Sequence, residues 1–256
     1  MKGFIKSEEA VSQSIGFLLI FSLVILSVSI IYSTGYPLLL EARDANHIKN
    51  VEQSFIVLGY NVNRIIFGNT PSQDIEIRLS GGNLAASEES AMNITWNVWN
   101  ETSSSLESAY QLINLTTIVY DFEGTKTAYE GGGVWVRYTN SGGTIMLSKP
   151  LIINDSAIII PIGQSIGSIS SKAGETGFAR LKVKSVGPTD AISYENASNI
   201  KINIISEYYE GWERYLNETL RMGTMSYDIN KTVTATFGQN NLKLSIVRRF
   251  LITEVL

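Results

Sequence analysis

The hydrophobic and polar positions of this chain follow three successive patterns, and each change of pattern marks a new element. From Val11 to Leu40 thirty consecutive residues carry no charge, and Ile15 to Tyr32 is packed with Ile, Leu, Val and Phe. As a helix rising ~1.5 Å per residue, such a run is long enough to cross a ~30 Å hydrocarbon core. A cleaved signal peptide has an apolar core of only about 7–15 residues followed by a small-residue cleavage site. The run here is longer and no Ala-x-Ala follows it, so the pattern predicts a retained transmembrane helix over residues 11–40, behind a charged leader at 1–10.

The second pattern is amphipathic. Past Gly35-Tyr36-Pro37, where Pro37 lacks an N–H and should kink the helix, apolar residues fall at Ile48, Val51, Phe55, Leu58, Val62 and Ile65, spaced 3-4-3-4-3. Gly68-Asn69 and Pro71 supply a stop signal. One helix is therefore expected from near Ser12 to Phe67, lipid-facing over 11–40 and amphipathic over 41–69. Its seam is expected to pack on a sheet, with a self-associating coiled coil as the alternative.

From Ser72 the period becomes two. Ile75, Ile77 and Leu79 alternate with Asp74, Glu76 and Arg78, Gly81-Gly82-Asn83 turns the chain, and Ile94, Trp96 and Val98 alternate with Asn93, Thr95 and Asn97. Further strands are predicted at 112–122, 134–138, 144–147, 157–162, 179–186, 199–205 and 232–252, the last split at Gly238-Gln239-Asn240-Asn241 into a terminal hairpin. A pause at Gly131–Gly133 or at 168–177 reads as a loop or a subdomain break. A short helix is predicted over Glu207–Met222, capped by Ser206 and closed by Gly223, with Tyr208, Trp212, Tyr215 and Leu216 on its packed face. The fold class is α+β: a long N-terminal helix, half transmembrane and half amphipathic, then a mainly antiparallel β domain over 70–256 with one short helix.

Composition narrows the function. The 256 residues carry a net charge of −4, so there is no basic excess to hold nucleic acid. Cysteine is absent, which excludes disulfides and thiolate metal sites. Lys2 and Lys6 before the span and Arg43 and Lys49 after it barely bias its orientation. The β domain reads as extracytoplasmic, which places the N-terminus in the cytoplasm and makes the chain a single-pass cell-membrane protein. Asn-x-Ser/Thr sequons at Asn93, Asn100, Asn114, Asn154, Asn196, Asn217 and Asn230 all follow the span. Each is a candidate glycan acceptor if the domain faces outward.

Catalytic material is scarce. The single histidine, His47, lies just past the span, so His-based metal sites and Ser-His-Asp chemistry lack their parts. Gly163-Gln164-Ser165-Ile166-Gly167 matches the G-x-S-x-G elbow, but no His follows it, and it reads as a glycine-rich loop after the strand at 157–162. Neither a catalytic centre, a cofactor nor a metal is expected. The alternating cations Arg180, Lys182 and Lys184 form a candidate contact face for an anionic glycan or a neighbouring subunit, against the simpler reading of a solvated strand.

The segment Glu9-Ala10-Val11-Ser12-Gln13-Ser14-Ile15-Gly16-Phe17-Leu18-Leu19 resembles the start of archaeal type IV pilins and pilin-like proteins, where a small residue, Val-Ser and then Ile-Gly open the apolar helix. The resemblance implies that a prepilin peptidase removes the leader between Ala10 and Val11. Lys2-Gly3-Phe4-Ile5 is the alternative, a basic, Gly, hydrophobic sequence cut between Gly3 and Phe4. Asn63-Arg64, the segment from Glu76 to Leu84 and that from Ser206 to Tyr215 are also similar to landmarks of pilin-like archaeal membrane proteins. The function the resemblance implies is a non-enzymatic, type IV pilin-like cell-surface glycoprotein, a minor or specialised subunit of an archaeal-type pilus or related assembly. Its partners are then the membrane, the prepilin peptidase and other pilin-like subunits or copies of itself. The alternative is a single-span surface binding protein or adhesin that forms no filament and recognises a cell-surface glycan. An extracytoplasmic hydrolase is a third.

Overall fold

The computed structural model describes residues 4–68, 70–139, 142–166, 170–173, 177–238 and 241–256. Helix α1 runs unbroken from Phe4 to Phe67, with Pro37 inside it. It starts earlier than the uncharged run suggested, because the helical backbone continues back through the charged head. The Phe67 end is where the stop signal placed it, and Gly68 N–H closes the last turn on the Arg64 carbonyl at 2.8 Å. The chain forms two compact units, Met1–Lys49 and Asn50–Leu256.

Within the second unit the amphipathic seam is core. Val51, Phe55, Leu58, Val62 and Ile65 are all buried. Close approach is needed at Gly59, where a Cβ would stand 2.8 Å from the Val134 side chain. Asn63 donates from Nδ2 to the Gly132 carbonyl at 3.0 Å, and the Tyr138 hydroxyl donates to Glu52 at 3.4 Å.

Among the described residues fifteen strands follow: β1 Ser72–Arg78, β2 Asn83–Ser87, β3 Ala91–Asn100, β4 Ser105–Asn114, β5 Thr117–Phe122, β6 Thr125–Glu130, β7 Gly133–Tyr138, β8 Thr144–Ser148, β9 Ile153–Asn154, β10 Ala157–Ser165, β11 Ser170–Ala173, β12 Phe178–Ile205, β13 Gly223–Tyr227, β14 Thr232–Thr236 and β15 Leu242–Val255. Between β12 and β13, helix α2 covers Tyr209–Arg214 and continues as a π-helix over Tyr215–Thr219. One sheet has the order β11-β2-β5-β6-β7-β8. The other runs β13-β14-β12-β15-β10-β9, with β1 and β3 also on β12, and β4 outside β3. Among the described residues every ladder is antiparallel except that of β10 with β15.

Several sequence readings change in the fold. The stretch 112–122 is two strands in different sheets, broken at Leu115 and Thr116 where Thr116 N–H reaches the Gly163 carbonyl. The stretches 179–186 and 199–205 belong to the single 28-residue strand β12, which carries register shifts at Val186/Asp190 and Tyr194/Ala197. Bulges let one strand change partners along its length: its first part pairs β1 and β15, its last part β3 and β14. The split at 238–241 is correct, but β14 and β15 do not form a hairpin, because each pairs with β12 instead. Gly163 to Ser165 is strand, paired with Arg249 to Leu251, and not a loop. Gly223 opens β13 rather than closing the helix, and Arg221 supplies the left-handed turn residue at φ 53°.

The pause at Gly131–Gly133 is the turn of the β6–β7 hairpin. Gly131 has φ 58°, and a Cβ there would meet the Trp212 ring at 2.6 Å. Gly131→Ala is therefore expected to lose about 1–3 kcal/mol from backbone strain and displaced packing. A denaturation midpoint equal to that of the parent chain would contradict this. Trp212 belongs to the main core, with Trp135 at 5.0 Å between ring centroids and Tyr215 at 6.1 Å, so the aromatic stripe of the short helix is packing.

Candidate functional site

Three features could carry function: the apolar half of α1, a buried carboxylate beneath a small pocket, and the residues singled out in the sequence. In the first, Phe17, Leu19 and Ile31 are 66–70% exposed, and the apolar window of mean hydropathy 2.7 buries none of its residues. The helix is long and apolar enough to cross a membrane, and such a surface is stable only in lipid or against other apolar helices. Its hydroxyls suit that environment. Ser27 donates to the Leu23 carbonyl, Ser29 to Ile25 and Thr34 to Ile30, each at 2.8 Å, so none of the three presents an unsatisfied donor to hydrocarbon.

The second feature is Glu130, wholly buried at the end of β6. Ser90 Oγ at 2.6 Å and Thr117 Oγ1 at 3.2 Å donate to Oε2, while Ser206 Oγ at 2.6 Å and Trp212 Nε1 at 2.8 Å donate to Oε1. The donors come from the segment before β3, from β5, from the segment before α2 and from α2 itself, so one carboxyl ties both sheets to the short helix. Ser206 Oγ also accepts the Tyr208 N–H at 2.9 Å in the turn before the helix, whose N-cap is Tyr208 without a side-chain cap rather than the expected Ser206. Burial raises the Glu130 carboxyl above its ordinary pKa, and the four donors oppose that rise without cancelling it.

Ser90, Thr117 and Ser206 also line a pocket of about 200 Å³, with Glu89, Glu207 and Lys231 around them. Glu207 is itself engaged by Lys231 and Arg137. Sequence reasoning missed Glu130, because a lone Glu before three glycines reads as a solvated turn. Its one signal is the Ser and Thr residues at 90, 117 and 206, which only the fold brings together.

The third group is dispersed. Arg180, Lys182 and Lys184 share one face of β12, where the register sets them beside acidic residues: Asp74 opposite Lys182, Glu76 opposite Arg180 and Glu254 opposite Lys182. Arg180 bonds Asp74 at 2.6 Å and Lys184 approaches Glu254 at 3.6 Å, so this is a mixed-charge ladder. Ser165 is buried in β10 and donates to Glu88 at 3.0 Å, in a strand rather than a strand-to-helix elbow, while Gly167 lies outside the described residues.

Of the sequons, Asn114, Asn154, Asn196, Asn217 and Asn230 are exposed. Asn100 accepts the Thr102 N–H in a tight turn and Asn154 donates to the Leu220 carbonyl. Asn93 has a buried Oδ1 without a partner. At the candidate cleavage positions, Phe4, Ala10 and Val11 have helical backbone and Gly3 lies outside the described residues. No group of three His, Asp or Glu side chains among the described residues could hold a metal ion.

The class these observations define is a protein with one apolar helix of membrane-spanning length and a two-sheet β body. The chain belongs to the family described as "Family of unknown function (DUF7289)", which matches residues 9–251. An uncharacterised protein of Archaeoglobus fulgidus is 25% identical over 187 residues, covering 60% of this chain and 61% of that relative. The chain thus spans about three fifths of the length of the relative it matches. No solved structure matches.

Proposed function

We propose that this chain is a type IV pilin-like cell-surface protein, a minor or specialised subunit of an archaeal-type pilus or related assembly, held in the membrane until it is incorporated. The observation that supports this reading is the change of character within one helix. The first half of α1 exposes its Ile, Leu and Phe side chains, and its second half buries a 3-4 seam in the β body. A helix stable in lipid leaves the bilayer only where its apolar surface is covered again, and bundling many copies does that. Small residues at Gly16, Ser22, Ser27, Ser29 and Ser33 permit such close approach.

On this reading the first unit lies in the membrane and the β body outside the cell, its exposed sequons available for glycans. The prepilin peptidase and other pilin-like subunits are the partners. N-terminal sequencing of the mature protein from cell envelopes tests the reading. A start at Val11 is expected, or at Phe4 for the alternative cut; an intact Met1 would refute it and favour the plain membrane-anchored binding protein.

A further inference from the structure

We infer that β4 is a self-association edge, which pairs antiparallel with β4 of a second copy about a two-fold axis at Ala109. This goes beyond the pilin reading and holds for either membrane-anchored alternative.

The backbone sets the geometry. Among the described residues strand β4 pairs with β3 alone, from Ala91 opposite Asn114 to Asn100 opposite Ser105. One step further on, Leu115 N–H donates to the Ser90 carbonyl at 2.9 Å, so Leu115 and Ser90 are a hydrogen-bonded pair. Such pairs alternate along an antiparallel ladder. Odd residues of β4 therefore turn their N–H and C=O toward β3, and Leu106, Ser108, Tyr110 and Leu112 turn theirs to the open side. Among the described residues that side closes at Leu115, which Gln164 bridges, and the Leu112 carbonyl takes a long bond of 3.4 Å from the neighbouring Gln111 Nε2.

The side chains point the same way. On the face that carries the even residues, Trp99, Leu106, Tyr110 and Leu112 are 58%, 60%, 74% and 55% exposed. Scaled to large side chains of ~150–250 Å², they expose on the order of 500 Å². Edge pairing sets Leu106, Tyr110 and Leu112 beside their counterparts of the second copy on one continuous apolar face. Natural edges are blunted by Lys, Pro or bulges. Strand β4 has none of these, and its one charge, Glu107, is held by Asn100 at 2.7 Å and Ser103 at 2.9 Å. The edge strand β1, by contrast, carries Asp74, Glu76 and Arg78.

A second copy is the occupant because the open stretch complements itself. Its midpoint is Ala109, and pairing about that point sets Leu106 opposite the second copy's Leu112, Ser108 opposite Tyr110 and Glu107 opposite Gln111. The even residues then form the hydrogen-bonded pairs, and the two Ala109 residues meet in a non-hydrogen-bonded pair, where side chains approach most closely. No like charges face each other.

The absence of cysteine makes the test clean. In the full chain, purified in detergent from the membranes that made it, Ala109→Cys is expected to form a disulfide dimer on mild oxidation at least about tenfold faster than Ser193→Cys on the central strand β12. Glu107→Cys and Gln111→Cys should cross-link poorly alone and readily when mixed. That mixture keeps the test valid if Ala109→Cys fails to fold. Adding Tyr110→Lys and Leu112→Lys should abolish the cross-link. Equal rates at 109 and 193, a maximum at another β4 position, or cross-linking indifferent to the two lysines would each overturn the proposal. So would loss of the cross-link in chains that carry glycans at Asn93 or Asn114, because sugar would then cover the face.

Discussion

Glu130→Leu is expected to destabilise the β body by about 3–5 kcal/mol, since it leaves Trp212 Nε1 and the hydroxyls of Ser90, Thr117 and Ser206 buried without their acceptor. Glu130→Gln should cost less, because an amide oxygen still accepts and the hydroxyls can rotate to receive its N–H groups. The two variants also separate hydrogen bonding from charge. The folded Glu130 pKa is raised, chiefly by burial, so the folded state holds this proton more tightly than the unfolded chain. Its contribution is full below the ordinary carboxyl range and is lost as pH rises through the folded value. The stability of the parent chain relative to Glu130→Gln should therefore decline from acid toward neutral pH. Denaturant titrations at several pH values, read by tryptophan fluorescence in detergent micelles, measure both effects. A leucine variant as stable as the parent, or parallel pH curves for parent and glutamine variant, would contradict this account.

Paired charges in the apolar half of α1 should abolish membrane retention. Leu23 and Leu26 lie near the middle of the uncharged run and are 67% and 60% exposed. An arginine at the centre of a spanning helix costs about 2.5–3.5 kcal/mol of insertion, so Leu23→Arg with Leu26→Arg removes about 5–7 kcal/mol. After an alkaline wash the double variant is expected in the supernatant or in aggregates, and the parent in the membrane pellet. Val57→Lys is the control. Val57 is 52% exposed on the second half of the same helix and should leave fractionation unchanged. A double variant that stays in the pellet would show that this helix is not what holds the chain in the membrane.

The helix was legible because its information is local. A run without charge and a 3-4 spacing are read from neighbouring residues, and both the seam and the Phe67 terminus appear where the pattern put them. The strands were legible as faces. Met92, Ile94 and Trp96 are buried while Asn93, Thr95 and Asn97 are only half-buried, as alternation requires. Partners were not legible. Nothing near Thr232 states that β14 joins β12 rather than β15, and nothing near Leu115 states that the chain crosses there from one sheet to the other. Alternation also fails where both faces of a strand are covered, as in β6, where Ala128, Tyr129 and Glu130 are buried in succession.

The sequence by itself determined an apolar rod of membrane-spanning length, an amphipathic continuation and a β-rich body, because periodicity and the absence of charge act over a few residues. Only the tertiary structure decided that Glu130 is the buried tie between sheets and helix, that the cations of β12 lie in a ladder with carboxylates, and that β4 is an open edge. Those outcomes depend on groups that are distant in the chain and close in space. A two-residue period specifies which side of a strand meets the core and leaves unspecified which strand lies next to it.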